Sequence, residues 1–300
     1  MVLTKIYSDS SLSLLILISA SAWGLYWVPL RAIEQAGMAG SWSIVLVNAC
    51  PLIVLLPFLA INLRGLKVHT LPMICAGLMV GTAFTLYANG LVETTIIRAT
   101  LLFYLSPIWS TILGIIWLSE RLTRARIISI LLAVAGLVLL LMDFNNSNSV
   151  RLNIGDLFGF LSGVFWAIAA VIINRWPNAP ILPLTSIVYV ATTIISIIFA
   201  LFIHNDPFPE LNIIKDSFLT ATIWSIIILL PSFWIIFRVS QLLFPGRVAI
   251  LMMSEVIVAI VSARILVPDE TMFFLQWIGA GAILFAGVIE VLFGYNKKRP

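Results

Sequence analysis

The chain of 300 residues is 61% hydrophobic and 10% charged, with mean hydropathy +1.12 and a net charge of +4. Soluble globular chains carry about 25% charged residues, so this composition excludes a water-exposed fold and requires many apolar side chains to face lipid. The basic residues are scattered between apolar runs, which excludes nucleic acid as a partner. Cys50 and Cys75 both lie inside such runs, leaving no disulfide framework and no cysteine metal site.

Ten apolar runs follow one another at 12–30, 42–62, 71–90, 98–118, 125–142, 155–174, 182–203, 218–237, 247–267 and 274–293. Each is close to the roughly 20 residues that a bilayer-spanning helix needs. The first run begins like a signal peptide, with Lys5, the apolar stretch 12–19 and the triplet Ala20-Ser21-Ala22. Apolar sequence continues through Trp23 to Leu30, so it is expected to remain as a true span. Trp23, Tyr26 and Trp27 lie deep in it, as do Phe84 and Tyr87 in the third run, Trp109 in the fourth and Trp166 in the sixth. Buried Tyr and Trp seek a partner for their polar atom, so mid-span copies predict a partly wet cavity.

Pro51 and Pro57 in the second run, Pro107 in the fourth and Pro231 in the eighth each remove a backbone hydrogen bond and predict bends. Small residues recur on single faces: Gly77 and Gly81 in the third run, Gly155, Gly159, Gly163 and Ala167 in the sixth, and Gly279, Gly281, Ala282 and Ala286 in the tenth. Such stripes permit close helix packing, a dimer seam or sliding surfaces. Glu255 lies about eight residues inside the ninth run, where a carboxylate costs several kcal/mol unless paired, protonated or hydrated. It is the candidate coupling residue, with Arg264 and Arg98 as potential partners. Arg98 and Arg247 are expected to snorkel to the interface, and Glu290 to lie at the interface near the end of the tenth run.

The chain also reads twice. Ala99 precedes Glu120 by 21 positions and Ala249 precedes Glu270 by 21, while Arg126 matches Gln276 and Ser129 matches Gly279 at the same offset of 150. The polar stretch Asn145 to Ser149 serves as a linker, which divides the chain into residues 1–146 and 147–300. Five spans is an odd number, so the second half must enter the bilayer inverted, the arrangement of secondary transporters with a midplane site. With the N-terminus inside, the inner segments carry 12 Lys and Arg residues and the outer segments 5. This asymmetry predicts both termini in the cytoplasm, and puts Glu120 at that face and Glu270 at the other.

Arg98-Ala-Thr-Leu-Leu-Phe-Tyr-Leu-Ser-Pro107-Ile-Trp109, then Leu118-Ser-Glu120-Arg-Leu-Thr and Gly136, resembles the EamA-type permeases of the drug/metabolite transporter superfamily. Gly246-Arg-Val-Ala249-Ile-Leu-Met-Met, Glu270 and Gln276-Trp-Ile-Gly279 repeat the pattern, and Ala22-Trp23-Gly24 and Phe165-Trp166-Ala167 open the halves in the same style. The resemblance implies an all-α integral membrane protein of ten transmembrane helices, built as two inverted five-helix repeats around a central cavity. Among its branches the ten-span aromatic amino acid exporters look nearest. The second copy departs from the first in having Ile257 at the place of Pro107.

The expectation is a secondary transporter of the inner (plasma) membrane, monomeric or homodimeric, exporting amino acids by alternating access. Trp23, Tyr26, Trp27, Phe84, Tyr87, Trp109 and Trp166 would line the substrate cavity, with Glu255 carrying protons as coupling ion. No cofactor or metal is expected. Uptake or exchange of another metabolite or nucleotide-like solute is the alternative within transport, and a membrane assembly factor the alternative outside it. An intramembrane enzyme is disfavoured, because His69 and His204 are the only histidines and both stand at span ends.

Overall fold

Asn153 begins the clearest case of a helix written locally. Its side chain accepts from the Asp156 backbone N–H at 3.0 Å, and Asp156 accepts from the Asn153 N–H at 2.9 Å. This reciprocal cap satisfies two donors that a helix start leaves open, and the helix runs from there to Arg175 in its last turn. The computed structural model describes residues 9–61, 69–94, 96–141, 153–266 and 274–293. The linker 145–149, Glu270 and both termini, and the side chains of Arg98, Arg264 and Gln276, lie outside the described residues.

The described residues form helices and no strands. In the first half these are α1 (Asp9–Trp23), α2 (Trp27–Gln35), α3 (Gly40–Ala49), α4 (Leu52–Ile61), α5 (Thr70–Glu93), α6 (Ile96–Phe103), α7 (Ser106–Leu118) and α8 (Arg124–Leu141). In the second they are α9 (Ile154–Arg175), α10 (Ile181–Ile198), α11 (Leu211–Ile223), α12 (Leu230–Ser240), α13 (Pro245–Met252), α14 (Ser254–Leu266) and α15 (Phe274–Phe293). Wider π-helical turns at Phe199–Ile203 and Trp224–Leu229 extend α10 and join α11 to α12.

Among the described residues, six helical stretches are long and apolar enough to cross a membrane: Asp9–Gln35, Gly40–Ile61, Thr70–Glu93, Ile154–Arg175, Ile181–Ile203 and Leu211–Ser240. The other four apolar runs of the sequence appear as α6 with α7, α8, α13 with α14, and α15. Large apolar side chains stand on the outside, with Ile61 85% and Phe274 79% exposed. A surface of that kind suits lipid rather than water.

The helices are interrupted where side chains or backbones demand it. Between α1 and α2 the chain turns at residues 24–26. Gly24 passes so close to α14 that a Cβ there would lie 2.5 Å from the Glu255 carbonyl oxygen. Pro51 divides α3 from α4, whereas Pro57 is absorbed within α4. Pro107 sits at the start of α7, where a missing N–H costs nothing. It cannot donate back to Phe103, and the Phe103 carbonyl instead faces Gly163, whose added Cβ would come within 2.6 Å. The matching break between α13 and α14 falls at Met253, 149 residues after Tyr104, without any proline.

Packing crosses the halves throughout. α5 lies along α9 and α10, α8 along α15, α7 against α9 and α13, and α1 against α12, α13 and α14. The glycine stripe of α9 is consumed here: Gly155 abuts Glu93 and Thr94, Gly159 abuts Ala99, and Gly163 abuts Phe103. Gly77 and Gly81 meet Ile187 and Ala191 on α10, and Gly136 meets Gly279 and Ala282 on α15. These stripes are therefore seams within the chain.

Candidate functional site

Three helix interruptions, at residues 24–26, at Tyr104-Leu105 and at Met253, gather around one aromatic cluster. Trp23 stacks on Tyr26 with ring centroids 4.4 Å apart and planes 12° from parallel. It also meets Phe233 at 4.3 Å and Phe84 at 5.4 Å, and Phe84 meets Trp166 at 5.9 Å. Four expected cavity residues, Trp23, Tyr26, Phe84 and Trp166, thus belong to one cluster, with Phe233 of α12 in its middle. The rings lie in contact with one another, Phe84 and Phe233 at 4.4 Å between centroids. The Tyr26 hydroxyl accepts from Asn48 Nδ2 at 3.4 Å.

Tyr87 lies next along α5, with its ring 4.8 Å from Phe103 and its hydroxyl 3.4 Å from Thr100 Oγ1. Phe103 contacts Tyr104 edge-on at 5.0 Å. Tyr87 and Tyr104 both stand near Glu255. Glu255 occupies the first turn of α14, where the helix dipole favours a carboxylate. It is buried, and Tyr104 approaches it, yet neither Tyr104 Oη nor Glu255 Oε2 makes a hydrogen bond of normal geometry. Among the described residues no Lys or Arg forms an ion pair with it. Its neighbour Ser254 donates to the Leu17 carbonyl at 3.1 Å, which ties α14 to α1.

Trp27 and Trp109 stand apart from this group. Trp27 Nε1 donates to Ser262 Oγ on α14 at 3.1 Å. Trp109 packs edge-on against Phe160 at 5.8 Å, with its indole N–H buried and unpartnered. Phe233, Phe103, Tyr104 and Tyr189 join the centre without having been singled out from sequence. Two are phenylalanines without a polar atom to mark them, and Tyr104 was read only as part of a motif.

Charged side chains gather at both ends of the bundle. At the end holding the α7–α8 loop, Arg126 pairs with Glu120, and its Nη2 lies 2.6 Å from Glu290 Oε1. Glu120 folds back over α7 because Gly114 offers no side chain in its way. Burial pushes the Glu120 carboxyl above the usual carboxylate range, while Arg126 beside it holds it back. Glu290 is fully buried, which corrects the interfacial position expected from its distance along the run; a paired arginine makes the burial tolerable. Arg247 does not snorkel either. It is buried, donates to Ser13 Oγ at 2.9 Å and approaches Asp9 at 3.8 Å. At the opposite end His204 lies between Asn89 and Glu93, and Ser41 donates to Asp206.

An apolar cavity of about 440 Å³ lies to one side, between α1, α13, α14 and α15, lined by Leu17, Leu251, Ile283 and Gly287 among others. It adjoins Ser254 but carries no charged lining.

Among the described residues, an all-helical bundle of long apolar helices, broken around a buried carboxylate and aromatic rings, suits a multi-pass membrane protein. Residues 10–142 match the model of the EamA-like transporter family, a similarity that lies within the first half of the chain. That family is one of transporters and not of enzymes. A protein described as "Uncharacterized transporter YojE", from Bacillus subtilis (strain 168), is 26% identical over 153 residues, covering 47% of this chain. The chain matches 51% of that relative, about half its length. A solved structure described as "Crystal structure of protein" shares the fold with a TM-score of 0.69, over 95% of this chain and 98% of its own, at 15% identity.

Proposed function

We propose that the protein is a secondary transporter of small organic metabolites, exporting amino acids across an inner membrane by alternating access. In this reading ten spans form two inverted five-span repeats, 1–146 and 147–300, with both termini in the cytoplasm. Helix breaks at Tyr104 and Met253, 149 residues apart, and packing that runs between the halves support that arrangement. The observation that carries the function is Glu255, a buried carboxylate with an oxygen lacking a hydrogen bond, set beside aromatic rings at the meeting point of three broken helices. Interrupted helices line transporter sites because their free backbone groups need a cavity or a ligand.

A solute with an ammonium group and an apolar body fits this chemistry. The ammonium would satisfy Glu255, and the body would separate Trp23, Tyr26, Phe84, Tyr87 and Trp166 from their ring–ring contacts. Trp27 and Trp109 would line the path to either side. When no solute is bound, Glu255 would take a proton, so proton uptake and solute release alternate on one group. The test is counterflow of labelled amino acids, nucleobases and cationic amines into vesicles holding the purified chain. Counterflow of an amine-bearing solute supports the reading, and counterflow of anionic solutes alone contradicts it.

A further inference from the structure

We infer that Tyr104 is a solute-binding residue: its hydroxyl and the Glu255 carboxylate form a two-oxygen seat for an amine that carries at least two N–H bonds. The inference rests on the reading of Glu255 as the group that meets the solute, and adds to it a second contact and a rule of selection.

The argument begins with the backbone. Pro107 has no N–H to return to Phe103, and α6 ends at that residue. Tyr104 and Leu105 form the turn that follows, before α7 begins. The Tyr104 side chain is buried, with its ring edge-on to Phe103 at 5.0 Å. In the second half α13 ends at Met252, and the buried Glu255 stands in the first turn of α14. Packing of α13 on α7 brings the two breaks together, and Tyr104 stands near Glu255.

Each of these side chains ends in a buried oxygen without a hydrogen bond, Tyr104 Oη and Glu255 Oε2. Buried polar atoms are nearly always paired, and an unpaired one at membrane depth marks a place for a ligand. Both oxygens can accept. A group that satisfies both at once brings two donors, and beside a carboxylate a cationic donor bonds most strongly. A protonated primary or secondary amine is such a group. A tertiary ammonium has one N–H and serves only one of the oxygens. A quaternary ammonium has none, and only the ring faces of the cluster can hold it.

The backbone favours the same charge. Helix α6 and helix α13 both end here, and helix C-termini attract cations. Gly24, next to Trp23, passes against the Glu255 backbone, so the apolar body of an amine seated here lies towards the ring cluster.

The test measures calorimetric binding to the full chain in lipid nanodiscs. The probes are phenethylamine and its N-methyl, N,N-dimethyl and N,N,N-trimethyl forms near neutral pH, where all four are cations. Wild type should bind the first two alike and lose about tenfold at the dimethyl form, the worth of one hydrogen bond to an ion. An equal fall with each added methyl reflects bulk alone and overturns the inference. Tyr104→Phe keeps the ring and its contact with Phe103. It should weaken phenethylamine about tenfold, leave the trimethyl form unchanged and so flatten the series. The wild-type series decides by itself if that variant fails to fold. A lower melting temperature in Tyr104→Phe with the wild-type series retained makes Tyr104 structural and overturns the inference. Glu255→Gln separates this failure from that of the underlying reading. Phenethylamine binding that depends on Glu255 while Tyr104→Phe leaves the series intact rejects Tyr104 alone. Binding that is absent in wild type, or unchanged in Glu255→Gln, rejects both.

Discussion

Arg126 on α8 and Glu290 on α15 form a buried ion pair in which the guanidinium Nη2 and Nε reach the same carboxylate oxygen at 2.6 and 2.8 Å. The pair joins the two halves of the chain deep within one end of the bundle, and Glu120 completes it from the α7–α8 loop. Removing one member strands the others in a medium of low dielectric. Glu290→Ala should therefore lower stability by about 3–5 kcal/mol. Glu210→Ala, at an exposed position, should stay within about 0.5 kcal/mol of the parent. Thermal unfolding of purified protein in detergent compares the two, and equal melting temperatures would remove the structural role of the pair.

The glycine seam of α9 makes a second prediction. A side chain at Gly163 must push the Phe103 carbonyl aside, and α6 with it. Gly163→Val should cost about 1–3 kcal/mol through overpacking and reduce monodisperse yield. Gly281→Ala should change neither yield nor melting temperature, because its added Cβ meets nothing within 4 Å.

The aromatic centre separates residues that the sequence could only group. Phe233→Leu and Trp23→Leu should each reduce transport about tenfold, the size of losing one or more aromatic contacts. Trp234→Leu, next in sequence but turned outwards, should leave transport unchanged. Trp109→Leu should weaken it less than Trp23→Leu, since Trp109 packs on Phe160 away from the cluster. Flux in vesicles, normalised to folded protein, ranks the four.

The lysine and arginine asymmetry predicts a topology that labelling can check. In a background without Cys50 and Cys75, Phe208→Cys should react with an impermeant thiol reagent added outside cells. Leu122→Cys should react only after the membrane is opened. The reverse pattern would invert the orientation proposed for every span.

Much of the fold is legible because a membrane allows few backbones. The long runs around Phe84, Trp166 and Tyr189 read directly as helices. Helix breaks were only partly legible. Pro107 announced one, but its counterpart at Met253 has no proline and so no local mark in the sequence. Depth along a run identified Glu255 as buried. The same reasoning placed Glu290 and Arg247 at the surface, because an ion pair or hydrogen bond formed with a distant helix leaves no local trace. The central role of Phe233 was hidden for a related reason: nothing in its own span distinguishes it from its lipid-facing neighbours.

The central claim is that solute and proton meet at Glu255. Purified wild type and Glu255→Gln, reconstituted into vesicles with an imposed pH gradient, test it most directly when a labelled amine-bearing solute is followed. Glutamine keeps the shape and most hydrogen bonding while removing the titrating group. Wild type should accumulate the solute in response to the gradient, and the folded variant should lose that response. Gradient-driven accumulation by Glu255→Gln equal to wild type would contradict the account.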